Sequence, residues 1–193
     1  MAAVVALVLA FAIGFARLSR SAPVRVAATV YVEILRGTSA LVQFFYLFFI
    51  LPLLGVTLDP TLTAVIGLGL NFSAYGSEIV RGAILSIDPG QWEAARALDL
   101  SRARTLRHVI LPQALITMLP PFGNQLIDLL KATSLVSLIT LTDLTFAGSR
   151  LINATGRPGE IWMLVLLLYF VMAFPLSLGV RRLETRLALF KAR

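Results

Sequence analysis

Two groups of polar residues interrupt otherwise apolar runs and are the first candidates for chemistry. Asn71, Tyr75 and Glu78 fall at i, i+4 and i+7, one face of a helix. Asn124, Asp128 and Lys131 repeat that spacing further along. Polar groups inside a membrane are costly and usually face a cavity or a partner helix. A face offering Asp, Lys and Asn can meet both ends of a zwitterion through charge-assisted hydrogen bonds. The competing reading is an Asp128–Lys131 pair at i, i+3 that neutralises itself and holds helices together. Gln43 is a further pathway candidate, and Glu78 with Arg81 reads as structural or coupling. Catalysis has no comparable residue set. The chain has no cysteine, a single histidine (His108) and no HExxH or GxSxG pattern. A metal site and a cofactor are therefore not expected, and an intramembrane enzyme is the weakest reading.

The elements that hold these residues follow from composition. The 193 residues are 58% hydrophobic and 14% charged, with a formal net charge of +7 and a mean hydropathy of +0.87. A soluble domain carries about 25% charged residues, so the expectation is one all-α integral membrane domain over residues 1–193. A span needs about 20 mostly apolar residues. Residues 1–16, 39–56, 61–80 and 161–180 satisfy this approximately. The first ends in basic residues where a secretory leader would begin with them, and reads as a membrane helix lacking a few N-terminal residues. The stretch 112–147 reads as a helix kinked by Pro112, Pro120, Pro121 and Gly123 up to Lys131, then a broken segment near the far surface. Tyr31, Val32 and Ile34 read as a short amphipathic lead-in to the second span. The expectation is about five crossings.

Charge then orients the chain. All of the 17 basic residues except Lys131, Arg150 and Arg157 lie in the first inter-span segment, the segment after span three, or the tail. These three segments share one side of a five-crossing chain. Positive-inside places the N-terminus outside and the C-terminus in the cytoplasm. The high pI then reports topology and contact with anionic membrane lipid, not nucleic acid, for which no motif is present.

The long inner loop, residues 84–112, carries the most specific pattern. Asp88-Pro89-Gly90 is turn chemistry. Two short helical runs follow, separated by Asp99 and Ser101. On a wheel Ala95, Leu98, Leu106 and Val109 share a side, which suits docking into a partner's groove or lying on lipid headgroups. A passive channel or membrane scaffold would need no such docking element.

Glu93-Ala94-Ala95, Asp99 and Val109-Ile110-Leu111-Pro112 resemble the EAA signature of bacterial ABC importer permeases, EAA-x3-G-x9-I-x-LP. Asp99 stands where that pattern has glycine, and Asp is among the few residues that tolerate the left-handed turn. Arg36-Gly37-Thr38 with Gln43, Ala74-Tyr75-Gly76-Ser77-Glu78 and the run LKATSLVS resemble the polar amino acid uptake subfamily. The runs LVSLITLTDLTFAGSRL and RGTSALVQ look most like permeases for ectoine or hydroxyectoine.

That resemblance implies the type I importer permease fold in the bacterial plasma (inner) membrane. It implies a second permease subunit, identical or related, an extracytoplasmic solute-binding protein, and a cytoplasmic ATPase dimer that binds the ATP. The chain itself has no G-x-x-x-x-G-K-[ST] phosphate loop. The resemblance also implies that residues 91–110 receive the ATPase's movement. Glu93, Ala94 and Ala95 would form the core of that contact, with Asp99 at its turn. Arg96 and Arg104 would be ionic partners, and Trp92 would plug into the ATPase groove or rest in headgroups.

Overall fold

The structure, a computed structural model, describes residues 1–191. Arg193 of the basic tail lies outside the described residues. Those residues form helices and connecting turns, without strands. Helix α1 spans Ala2–Arg17, α2 Ala22–Gly37 and α3 Ala40–Phe45, the last continued by a π turn to Ile50 and a 3-10 turn to Leu54. Helix α4 runs Pro60–Leu85, α5 Pro89–Ala97 and α6 Arg102–Thr105. Helix α7 is Leu111–Ala132, α8 Leu144–Thr155 and α9 Pro158–Lys191.

Helix α4 is the central post. Asp59 caps its N-terminus, its carboxylate accepting from the Thr61 and Leu62 backbone N–H groups at 3.1 and 3.0 Å. Pro60 occupies the first helical position, where its missing N–H costs nothing. α1, α2 and α7 all pack on α4. Its buried positions are mostly small: Gly67, Gly69, Ser73, Ala74, Gly76, Ser77 and Ala83. Small residues let helix backbones approach closely. A Cβ on Gly76 would sit 2.7 Å from Ala10 Cβ, and one on Gly14 would sit 2.7 Å from Val80 Cβ. α1 and α4 therefore touch through surfaces that tolerate no added carbon.

The apolar core divides into two clusters along this post. Phe44, Leu68, Leu129, Val136 and Ile139 fill one end. Val80, Ile84, Ile110, Ala114 and Met118 fill the other, with Trp92 and Leu106 packed against them.

The second span differs from expectation. The stretch read as a short lead-in is a 16-residue helix, α2, joined to the Ala40–Leu54 helix through a 102° bend. Val32 is fully buried, and the Tyr31 hydroxyl lies 2.7 Å from Ser73 Oγ of α4. Arg25 and Arg36 therefore sit on a helix and not in a loop. Pro23 and three charges gave this stretch the composition of a connector, yet its apolar residues pack on α4.

Crossing by length and apolarity is met singly by one described helix, α9, over Pro158–Leu187. Up to three spans result when each bent pair counts as one. Arg102–Ile139 with Leu144–Thr155 is the second such pair, bent by 50°. α1 has 16 residues, about 24 Å at 1.5 Å per residue, against a hydrocarbon core of about 30 Å. α4 is long enough, but Asn71, Ser73, Ser77, Glu78 and Arg81 lower its apolarity, and Asn71, Ser73 and Glu78 find partners on other helices of the chain. Helix α7 continues across Pro120 and Pro121 and ends at Ala132, beside Lys131 as expected; a 3-10 segment, Thr133–Ile139, follows, and the bend comes before Leu144.

Candidate functional site

The elbow between α5 and α6 is built by local chemistry. Asp88 caps α5, its carboxylate accepting from the Gly90 N–H at 2.6 Å, and Pro89 opens the helix. The other end is closed by a pair of bonds. The Leu100 N–H donates to Ala95 O at 3.1 Å, and the Asp99 N–H donates to Arg96 O at 3.0 Å. This 6→1 and 5→2 pair is a Schellman closure, which demands a left-handed residue at the position after the cap. That residue is Asp99, with φ +54°. The turn thus forms with Asp in place of glycine.

Exposure sorts the elbow's residues. Glu93, Ala94, Arg96, Asp99 and Arg104 are exposed, whereas Trp92 is half-buried. Ala95 is 3% exposed and supports α5 from beneath. Leu98 differs from the wheel reading. It is 73% exposed at the C-cap of α5, not grouped with Ala95. Trp92 packs on the Val80–Ile110 cluster and anchors α5 to the body.

Around Glu78 three arginines converge from three helices. Arg17 of α1 bonds its carboxylate, Arg81 of α4 lies at 2.9 Å and Arg36 of α2 at 3.3 Å. The Arg36 guanidinium also stands 5.4 Å from the Tyr75 ring centre, a cation–π distance. The Arg17 side chain is 9% exposed, and its Nε is buried without a partner among the described residues. The i, i+3 neighbour Arg81 was legible in the sequence. Arg17 and Arg36 were not, being 61 and 42 residues away.

Gln43 and Asn71 are brought together as well. Asn71 Nδ2 donates to Gln43 Oε1 at 3.1 Å, and Gln43 Nε2 donates to Leu35 O at 2.9 Å and to Thr38 Oγ1 at 2.8 Å. Gln43 thus ties the α2–α3 bend to α4. Asn124, Asp128 and Lys131 form no hydrogen bond or ion pair with this group among the described residues. All three are exposed on α7, and Asp128 Oδ1 is 3.5 Å from Lys131 Nζ. Gln113, exposed on the same helix, continues the stripe.

A further polar knot escaped the sequence reading. The Tyr169 hydroxyl of α9 donates to Asp143 Oδ2 at 3.3 Å and lies 3.0 Å from Thr145 Oγ1. Asp143 Oδ1 accepts from the Phe146 N–H at 2.8 Å and caps α8. The turn run before an apolar helix could have suggested the cap, but nothing local points to Tyr169. Gln125 is a second omission. It donates to Phe72 O, while its Oε1 is buried without a partner among the described residues.

An all-helical, highly apolar chain with a braced interior and an exposed cap-to-cap elbow has the form of a membrane transport subunit. Residues 4–189 match the family described as binding-protein-dependent transport system inner membrane component. A probable amino-acid ABC transporter permease protein of Sinorhizobium fredii, y4tF, is 47% identical over 184 residues, 92% of this chain and 77% of that protein. The glutamine transport system permease protein GlnP of Escherichia coli K12 is 43% identical over 183 residues, 94% of this chain and 84% of that protein. A solved amino acid ABC transporter crystallised with histidines superposes with a TM-score of 0.91 at 34% identity, over 96% of this chain and 86% of that one. The chain belongs to this family of inner-membrane transport components, among the amino-acid ABC transporter permeases.

Proposed function

We propose that this chain is a single permease domain of an ATP-driven importer that moves a polar amino acid into the cytoplasm. A separate ATPase dimer supplies hydrolysis, a second permease completes the pathway, and an extracytoplasmic binding protein delivers the solute. An ectoine-type solute is the narrower alternative. It rests on LVSLITLTDLTFAGSRL and RGTSALVQ alone, and neither of the two named relatives carries that name.

The observation that carries the reading is the elbow. Residues 84–112 are held to the body by Trp92 and Ala95 while Glu93, Ala94 and Leu98 point outward. A leucine so exposed at the tip of a rigid, doubly capped turn is a knob in want of a groove. We assign Glu93, Ala94 and Leu98 to the ATPase contact, with Asp99 setting their angle. Ala95 and Trp92 transmit the push to the Val80–Ile110 cluster. Arg104 is a rim partner, worth more to association rate than to affinity.

Solute contact is assigned to α7. An exposed row of Gln113, Asn124, Asp128 and Lys131 would be costly against lipid, so it faces a wet pathway or the second permease. Gln43, Asn71 and Glu78 are engaged inside the subunit, which supports a bracing role for them. Co-purification tests the elbow. Glu93→Arg is expected to lose the ATPase while the permease still reaches the membrane. Undiminished ATPase binding by that variant overturns the assignment.

A further inference from the structure

A second face of α5 borders a groove whose lining does not include Glu93, Ala94 or Leu98, the residues assigned above to the ATPase contact. Pro89, Trp92, Arg96 and Leu100 line it from the elbow, with Ile84, Leu85 and Ile87 at the end of α4, Arg102 and Thr105 from α6, and Arg20 from the α1–α2 linker. Its volume is about 560 Å³. Three guanidinium groups stand around an apolar floor, and no carboxylate lines it. Asp88 and Asp99 flank lining residues in sequence without lining the groove themselves. Among the described residues Arg20, Arg96 and Arg102 form no ion pair. Arg96 Nε donates to Trp92 O at 3.3 Å, and Arg102 Nη2 reaches Leu18 O at 3.5 Å. These bonds position the guanidinium groups without neutralising them.

We infer that this groove holds the phosphate headgroup of an anionic membrane phospholipid, with Arg20, Arg96 and Arg102 on the phosphate and the chains running along Leu85 and Trp92. The inference rests on the proposed cytoplasmic placement of the elbow. Guanidinium groups match phosphate oxygens two at a time, and the inner leaflet is the anionic one. Leu85 is 60% exposed at the end of the central helix, an apolar surface along which an acyl chain can lie. An acidic segment of the ATPase is the rival occupant. It is disfavoured because Glu93, Ala94 and Ala97 occupy a different face of α5, and that outward face is the one exposed for docking. A bound lipid would cross-link the α1–α2 linker to the elbow and set how freely α5 moves.

The test uses the full chain with its ATPase, purified in detergent and reconstituted into phosphatidylcholine vesicles with or without phosphatidylglycerol. Native mass spectrometry is expected to show phosphatidylglycerol retained over phosphatidylcholine by the wild type. R20Q/R96Q/R102Q is expected to bind it about 100-fold more weakly, from about 1 kcal/mol per basic residue at the surface and a tenfold change per 1.4 kcal/mol. R20K/R96K/R102K keeps the charge and is expected to recover part of the retention. Inorganic phosphate added to phosphatidylcholine vesicles is expected to bind without the apolar contribution and to leave no retained adduct. Absence of any wild-type preference for phosphatidylglycerol overturns the inference, and this arm stands even if the Gln variant fails to fold. Full lipid retention by the Gln variant together with loss of the ATPase also overturns it and hands the groove to the ATPase. A misplaced elbow would show separately, as labelling of the elbow from the extracytoplasmic side.

Discussion

The polar residues of α4 and those of α7 have similar spacing and opposite fates. On α4, Asn71 is taken up by Gln43, and Glu78 by Arg17, Arg36 and Arg81. On α7, Asn124 is exposed, and Asp128 meets only Lys131, at 3.5 Å with both side chains open. The helical face alone does not distinguish these cases. What distinguishes them is whether other helices of the same chain bring partners. Helices α1, α2, α3 and α7 all pack on α4, so its polar groups stabilise the subunit. The α7 row and the α5 tip lack such neighbours, and their polar or apolar surface is left for something outside the chain.

The sharpest way to break this contrast is Glu78→Gln. It leaves Arg17, nearly buried, beside two further cations with no carboxylate between them. Loss of one member of a buried ion pair costs about 3–5 kcal/mol. Glu78 is 23% exposed, so the lower end of that range is expected. Thermal unfolding of the purified chain should show a clear drop, and an unchanged midpoint would mean the cluster does not brace the helices. Gln43→Leu comes next. It removes donors to Leu35 and Thr38 and strands Asn71, a loss of about 1–3 kcal/mol, readable in the same assay.

Asp128→Ala sharpens the contrast from the other side. Its ion pair is exposed, where such pairs contribute about 0–1 kcal/mol, so stability should hold while solute uptake falls. Normal uptake would remove Asp128 from the pathway. The smallest effect expected is at Asp59. Backbone N–H groups of Leu62 and Thr61 hold its carboxylate below the ordinary aspartate range. A depressed folded-state value means the cap contributes fully above the unfolded value, about 3.9, and is lost as pH falls through the folded one. The stability gap between wild type and Asp59→Ala should be present at neutral pH and close in acid.

How much was legible in the sequence divides along the same line. The elbow is local: Asp88, Pro89, the Glu93-Ala94-Ala95 spacing and Asp99 specify caps and turn within a dozen or so neighbouring positions, and the turn at Asp99 forms as its chemistry allows. The wheel grouped Leu98 with Ala95, but Leu98 is the C-cap of α5 and stands exposed where that helix ends. The bracing of α4 is non-local. Arg17 and Arg36 reach Glu78 across 61 and 42 residues, a pairing that no spacing rule reveals. α2 was underestimated for a related reason: its charges suit a connector, but Arg36 is consumed by Glu78 and Val32 by the core. The polar content of α4 likewise reflects protein neighbours, which composition cannot see.

The most direct test of the elbow's role exploits the cysteine-free sequence. Leu98→Cys would carry the sole thiol, at the exposed tip of the turn. With a membrane-impermeant maleimide, this site should label in inside-out vesicles, stay silent in right-side-out vesicles, and become protected when the ATPase is bound. Labelling from the extracytoplasmic side, or labelling that the ATPase leaves unchanged, would contradict an elbow that faces the cytoplasm and receives the ATPase.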